Sequence, residues 1–230
     1  MESIQLIYTF KGDGLFESIS LRIDAKTTEL VEESCESFPD WIRIEHCRCN
    51  HCTLNTDQYR WCPLARTIAG VVDRFSSILS HDAIFLEVTS DERVVSQQTT
   101  AQRALSSFMG VVMAVSGCPH TAFFKPMARF HLPLASEEET IYRSTSMYLL
   151  AQYFRAREGQ PVDYSLEGLE KIYRDLQIVN MALIDRLRGA NTGDSSANAI
   201  ILLDMFARIM PFVIEDKLEE IRHLFQPYLA

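Results

Sequence analysis

The sequence predicts an α+β fold: an N-terminal antiparallel sheet with two helices, followed by a C-terminal bundle of about three helices. Apolar residues alternate with polar ones near the start of the chain, a period of two that is typical of strands. Beyond about residue 135 they recur every three or four positions instead, which is typical of amphipathic helices. We therefore divide the chain into an α/β part at 1–120, a crossing segment at 121–134 and a helical bundle at 135–230.

The first part begins with a predicted antiparallel meander. Two alternating strands flank a turn at 11–14, where Gly14 can adopt the positive φ that hairpin loops require. Leu30 and Val31 predict a third strand. The apolar positions of the first two strands are Ile4, Leu6, Tyr8, Phe10, Ile19, Leu21 and Ile23.

Two helices complete this part. Pro63 suits the first turn of a helix, and apolar residues recur at helical spacing after it. A second helix should be mostly buried, because it has little polar face, and Gly117 suits the left-handed cap at its end. The predicted elements are a helix from Pro63 to Leu79, a strand at 84–88 pairing with 94–95, and a helix at 100–116.

The second part follows a crossing predicted to be extended or irregular. Ser136 and Glu139 form a capping box, which marks the start of a helix that runs to about Arg157. Its apolar stripe, which we expect to belong to the core, consists of Ile141, Thr145, Tyr148, Leu149, Tyr153 and Phe154. A second helix is predicted from about Ser165 to Arg188, and a third after Ser195. Pro211 lies inside the third, so we expect a kink or a break there.

Composition excludes some partners. The net charge of −9 argues against nonspecific attraction to nucleic acid or to an anionic membrane surface, so we expect neither as a partner. The chain does not open with the basic start and apolar block of a secretory signal. We therefore expect a cytoplasmic protein, in whose reducing surroundings clustered cysteines indicate metal more often than disulfides.

The most informative stretch is the cysteine loop, residues 46–65. It contains Cys49 and Cys52 as a C-x-x-C pair, and Cys62 directly before a proline. Cys118 also precedes a proline, just beyond a predicted buried helix. Soft thiolates bind both zinc and iron–sulfur clusters strongly. We predict that Cys49, Cys52, Cys62 and Cys118 bind one metal centre, zinc or iron–sulfur, and that Cys35 does not.

Three residues stay open as replacements for one of the four ligands. Cys47 could replace Cys49 or join a larger cluster, because C-x-C-x-x-C places three thiols close together. Zinc also accepts three thiolates with one imidazole, which makes His51 and His120 candidates. The choice between zinc and an iron–sulfur cluster is open as well.

A second polar group begins at the end of the α/β part and continues through the crossing segment. His120, Lys125, Arg129 and His131 interrupt an otherwise apolar run. The functional interpretation is a pocket for a small anion, in which the cations bind and a histidine transfers protons. The alternative is a linker whose basic groups pair with the acidic helix start at 137–139.

The sequence also resembles a known family. The segments GCPHTAFFKPMARFHLPLAS, CNHC…CPLA and SMYLLAQYF resemble those of a family of bacterial proteins of about this length. The resemblance covers nearly the whole chain and implies a bacterial source, but it brings no activity.

Three functions are compatible with these patterns. The leading one is a cytosolic metal-binding protein with a sensing, regulatory or scaffold role, in which the metal fixes the cysteine loop. The first alternative is a metal-assisted enzyme that acts on a small anionic substrate at the crossing-segment pocket. The second is a zinc-stapled module that binds a protein partner.

Overall fold

The computed structural model describes residues 2–31, 38–190 and 194–229, and Cys35 therefore lies outside the described residues. The predicted α+β class is confirmed, with antiparallel strands first and packed helices after them. The sheet has the strand order β2-β1-β3-β4. Its strands are β1 (Ser3–Gly12), β2 (Leu15–Asp24), β3 (Ala83–Ser90) and β4 (Val94–Thr100).

The sheet buries one face, as the alternation predicts. Tyr8 and Phe10 of β1 are fully buried, and Tyr8 pairs with Ile19 of β2 and Val88 of β3. The predicted third strand at Leu30 and Val31 is wrong, since Leu30 forms only an isolated bridge with Ile23. Its N–H instead donates to the carbonyl of Val115, at the end of the helix that covers the sheet.

Two helices pack on this part. The first, α1 (Pro63–Val72), begins at the predicted proline but is shorter than predicted, because a 3-10 turn at Asp73–Phe75 ends it. The second, α2 (Ala101–Val115), is buried along most of its length, as predicted. Gly117 has φ +83° and reverses the chain just beyond it.

The crossing segment is not simply extended. It contains a 3-10 turn at Ala122–Phe124 and a short helix, α3 (Lys125–Arg129). Pro126 lies in the first turn of α3, where its missing N–H breaks no hydrogen bond. The prediction of an extended or irregular crossing is therefore wrong for residues 122–129.

Three long helices follow. They are α4 (Glu137–Arg157), α5 (Glu167–Gly189) and α6 (Asp194–Ile221), and a last short helix, α7, spans Gln226–Leu229. The capping box is confirmed: the Ser136 hydroxyl accepts from the N–H of Glu139 at 3.2 Å, and the Glu139 carboxylate accepts from the N–H of Ser136 at 2.7 Å. Helix α6 runs through Pro211 as one continuous helix, so the chain does not break there.

One hydrophobic core joins the two parts. It contains the buried face of the sheet, α2, and residues of α5 and α6, among them Leu183 and Ile200. A smaller core lies between α4, α5 and α6. The helical bundle thus packs directly against the helix that covers the sheet, and this arrangement brings α5 beside the cysteine loop.

Apolar surface remains exposed on two helices. On α4, Tyr153 and Phe154 belong to the predicted apolar stripe but are 50% and 56% exposed. On α6, Phe212 is 84% exposed. In the described part of the chain, Ser196–Leu229 has the length and composition of a membrane span, but core helices of soluble proteins share this property.

Candidate functional site

The first two cysteines lie on a tight turn. The N–H of Cys52 donates to the carbonyl of Cys49 at 3.1 Å, so the pair sits on one i→i+3 turn. The guanidinium of Arg48 donates to the carbonyls of Cys52, at 3.2 Å, and Leu54, at 2.7 Å. These bonds hold the shape of a segment with no regular secondary structure.

The third cysteine is fixed by a local bridge and a helix start. The N–H of Cys62 donates to the carbonyl of Ile42 at 2.9 Å, and Trp61 forms an isolated bridge with Arg43. The carbonyl of Cys62 accepts from the N–H of Arg66 at 2.9 Å, within the first turn of α1. Cys62 therefore precedes a buried helix, which limits its movement.

The fourth cysteine lies beyond α2, as predicted. The N–H of Cys118 donates to the Ser116 hydroxyl at 3.2 Å, and its carbonyl accepts from the N–H groups of Thr121 and Ala122. Burial raises the pKa of the Cys118 thiol, whereas hydrogen bonds from the backbone N–H groups of His120 and Thr121 lower it. Such N–H donors would favour the thiolate over the thiol.

These four cysteines line one cavity of about 30 Å³. The pKa of Cys49 is raised to about 12, first by burial and then by the neighbouring thiols Cys62, Cys118 and Cys52. The charges of cysteine side chains affect one another's pKa only at short distances, so these residues lie close together. The fold therefore brings the four predicted residues to one place. Nevertheless, among the described residues, no group of three or more His, Cys, Asp or Glu side chains is arranged so that it could hold a metal ion.

The other candidate ligands differ in position. Cys47 is exposed, has φ +43°, and is not among the residues that line this small cavity. His120 lines it. The His51 ring stacks on that of His120, with centroids 3.8 Å apart, but His51 is not part of the cavity wall.

The two histidines tie the cysteine loop to its neighbours. Nε2 of His120 donates to the carbonyl of His51 at 2.9 Å, and Nε2 of His51 donates to the carbonyl of Asp175 on α5 at 3.1 Å. Burial, followed by the charge of His120, lowers the pKa of His51. Since a carbonyl only accepts, neutral His51 carries its proton on Nε2, and its buried Nδ1 has no described partner.

A buried arginine completes the small cavity. Arg186 of α5 is only 3% exposed and lines this cavity. Its guanidinium donates to the carbonyls of Trp41 and Arg43, both at 2.8 Å, and of Ile44 at 3.3 Å. Its charge lowers the pKa of Cys49. A buried cation normally has an anionic partner, and among the described residues Arg186 bonds to carbonyl groups only.

The crossing-segment residues do not meet around one cavity. His120 lies at the cysteines, whereas Lys125 donates to Glu29 and to the carbonyl of Thr27, both at 2.8 Å. Arg129 is exposed, with its guanidinium 5.7 Å from the Phe130 ring centroid. His131 lines a different and larger cavity. The structure therefore gives these residues separate surroundings.

The larger cavity, of about 420 Å³, lies among α2, α3, α4, α5 and α6. At one wall, His131 is hydrogen bonded to the Tyr8 hydroxyl, and burial lowers the pKa of His131 to about 3. Nearby, Arg143 donates to the carbonyls of Met127 at 3.0 Å and Phe130 at 2.8 Å. Asn180 is fully buried and also lines this cavity, and neither atom of its amide has a described partner.

Sequence reasoning missed Arg186, Asn180 and Arg143. A signal existed for the first two, because they lie on α5 at helical spacing from buried apolar residues. Asn180 precedes Leu183 by three positions, and Arg186 follows it by three. A polar residue on the apolar face of a helix is a candidate for a buried polar role.

Comparison with known proteins places the chain in a family. The model of a protein family described as a domain of unknown function (DUF6901) matches residues 4–226, so the chain belongs to that family. No curated protein and no solved structure matches it.

Proposed function

From the geometry of the cysteine loop, we propose that this is a metal-binding protein in which Cys49, Cys52, Cys62 and Cys118 bind one zinc ion. The metal fastens the loop to the rest of the fold and supports a scaffold or regulatory role in the cytoplasm. The observation that carries the proposal is that four cysteines and one buried arginine share the wall of a small cavity.

Charge balance supports the proposal. Four thiolates around Zn²⁺ carry a net charge of −2, and Arg186, which is bonded only to carbonyl groups among the described residues, supplies a positive charge beside them. The backbone hydrogen bonds of His120 and Thr121, which lower the pKa of Cys118, act in the same sense because they favour the thiolate. With protonated thiols, the buried guanidinium would have no anionic partner among the residues that the structure describes.

The size of the cavity favours a single ion over a cluster. A volume of about 30 Å³ is comparable to that of one water molecule in the liquid, whereas a cluster of several irons and sulfides needs more room. Binding requires the sulfurs to move inward to about 2.3 Å from the ion. Rotation of the cysteine side chains about χ1 supplies such movement without refolding the loop.

The expected consequence of binding is a fixed loop. The ligands come from the cysteine loop, which leads into α1, and from the segment just beyond α2. His51 connects the loop to α5, and Arg186 connects α5 to the segment before the loop, at 41–44. A metal that joins these segments would fix their relative positions, and loss of the metal would release the loop. Release of this kind is how a zinc site can serve regulation.

The test is the metal content of protein purified from a reducing host. We expect one zinc per chain and, after exchange with cobalt, the visible absorption of a tetrahedral cobalt–thiolate site. Cys62→Ser and Cys118→Ser should each lose the bound metal. Cys47→Ser is the matched control and should retain it, because Cys47 is exposed and lies outside the cavity wall.

Other results would change the conclusion. A brown protein that contains iron and sulfide would replace zinc by an iron–sulfur cluster on the same ligands. Protein without stoichiometric metal, whose Cys49, Cys52, Cys62 and Cys118 thiols all react freely, would overturn the proposal. Loss of metal in Cys47→Ser would reassign the ligands.

A further inference from the structure

We propose that the cavity of about 420 Å³ binds a small apolar carboxylate that carries a second hydrogen-bonding group, such as a hydroxyl, at its far end. The proposal does not depend on the metal centre. It rests on the size of the cavity, the charge of its wall and one buried amide.

The size and wall are those of a ligand pocket. Small-molecule sites commonly have volumes of about 300–1,000 Å³ and apolar walls with a few polar groups. Here the apolar wall comes from several helices, with Val111 and Met113 on α2, Met127 on α3, Leu176 on α5, and Leu203 and Phe206 on α6. An apolar body would therefore gain contacts on all sides.

The charge of the wall selects an anion. The described residues that line this cavity include the cations Arg103 and Arg143 but no aspartate or glutamate, although the chain has 31 acidic residues against 22 basic ones. Arg143 bonds to two carbonyls and makes no salt bridge with a described carboxylate. A ligand carboxylate would give it an ionic partner in surroundings of low polarity.

Asn180 indicates the second polar group. Its side chain is 0% exposed, and both its amide nitrogen and its amide oxygen lack a described hydrogen-bond partner. Buried amides without partners are unfavourable, so this one calls for a group that both donates and accepts. A hydroxyl does both.

Helix geometry sets the distance between the two anchors. Tyr173 lies beside Arg143, whose charge acts on its hydroxyl, and both line this cavity. Asn180 follows Tyr173 by seven residues on α5, which places it on the same helix face about 10 Å further along. A straight chain of medium length, such as ω-hydroxyoctanoate, suits that separation.

The cavity has an entrance from solvent. Arg103, an exposed residue of α2, forms part of its rim. Met205 and Ile209 of α6 also line it and are 53% and 46% exposed. These apolar rim residues beside a cation would allow an apolar carboxylate to enter the cavity.

Titration calorimetry with three probes tests which ligand charge the cavity prefers and whether the second hydrogen-bonding group of the ligand adds affinity. We expect ω-hydroxyoctanoate to bind with one site per chain and about tenfold more tightly than octanoate, the difference that one satisfied hydrogen-bond pair supplies. Octylamine, with the same body and the opposite charge, should not bind. Equal binding of octylamine would overturn the anion assignment, and no binding of any probe would show a cavity that holds only water.

Substitutions at two positions locate the site. In Asn180→Leu, we expect octanoate and ω-hydroxyoctanoate to bind equally. At Gly110, an added Cβ would meet the Leu203 side chain at an ordinary contact distance of 3.9 Å. Gly110→Ala should therefore retain binding, whereas Gly110→Leu should fill the cavity and abolish it.

The outcomes separate this proposal from the metal centre. All these variants should keep their zinc, because none of the substituted residues lines the small cavity. An unchanged preference for the hydroxylated probe in Asn180→Leu, or unchanged binding in Gly110→Leu, would refute the site. Thermal unfolding of each variant verifies that lost binding is not lost structure.

Discussion

Replacing Arg186 by methionine should weaken the protein through two separable effects, the loss of hydrogen bonds and the loss of charge. The guanidinium bonds to three backbone carbonyls, two of them at 2.8 Å and one at 3.3 Å. Methionine fills similar space but donates nothing, so these carbonyls lose their side-chain donor. Arg186 is therefore expected to fix the chain at 41–44 and to balance thiolate charge.

The two effects have different magnitudes. Leaving buried carbonyls without their donor costs about 1–3 kcal/mol for each one, a large share of a total stability of about 5–15 kcal/mol. Loss of a supporting group beside a metal typically weakens metal binding by about 10–100-fold. Arg186→Lys keeps the charge but lacks the planar fork, so it should lose stability and largely retain zinc affinity.

Two measurements distinguish these effects. Urea unfolding, followed by circular dichroism with and without a chelator, gives the stability, and competition with a zinc-binding dye gives the affinity. An Arg186→Met variant that binds zinc as tightly as the wild type would refute the charge argument. An Arg186→Lys variant of wild-type stability would refute the hydrogen-bond argument.

Three further predictions test other parts of the structure. Burial lowers the pKa of His131 from about 6.5 to about 3, so between those pH values the unfolded chain binds a proton that the folded one excludes. The free energy of unfolding should therefore fall by about 1.4 kcal/mol per pH unit as the pH decreases through that window. Midpoints of urea unfolding at several pH values measure this slope, and the slope should be absent in His131→Gln. Gly117→Ala forces a side chain into φ +83° and should lower the free energy of unfolding by about 1–2 kcal/mol. It should also lower the zinc content, because it displaces Cys118. The control, Gly110→Ala, should be neutral or stabilising in the same assays. Asn180→Leu should raise the free energy of unfolding of ligand-free protein by about 1–3 kcal/mol, because it removes unpaired buried amide atoms, and a decrease would contradict that reasoning.

Local signals identified most elements. The alternation at Tyr8 and Phe10 gives the buried face of the sheet, because successive side chains of a strand point to opposite sides. The capping box at Ser136 and Glu139 acts within four residues, so it is visible without the fold. Short α3 escaped prediction because one turn is too short to develop periodicity, and only Pro126 signalled its start.

Elements that depend on distant partners were less predictable. Leu30 has the apolar character of a strand residue, yet its N–H bonds to the end of α2. The apolar stripe of α4 predicted burial of Tyr153 and Phe154, but both are exposed. Periodicity shows which residues share a helix face, and it does not show how far a neighbouring helix covers that face.

The sequence by itself determined the α+β order and named the four cysteines as one group, since cysteine spacing and hydrophobic period are local properties. Only the tertiary structure decided that Cys118 reaches the loop that holds Cys49, Cys52 and Cys62, and that Arg186 lies beside them. It alone also separated His120 from His131 and placed Asn180 in a cavity. The physical reason is that burial and charge interactions depend on residues that lie tens of positions to more than a hundred positions apart, which chain folding brings together.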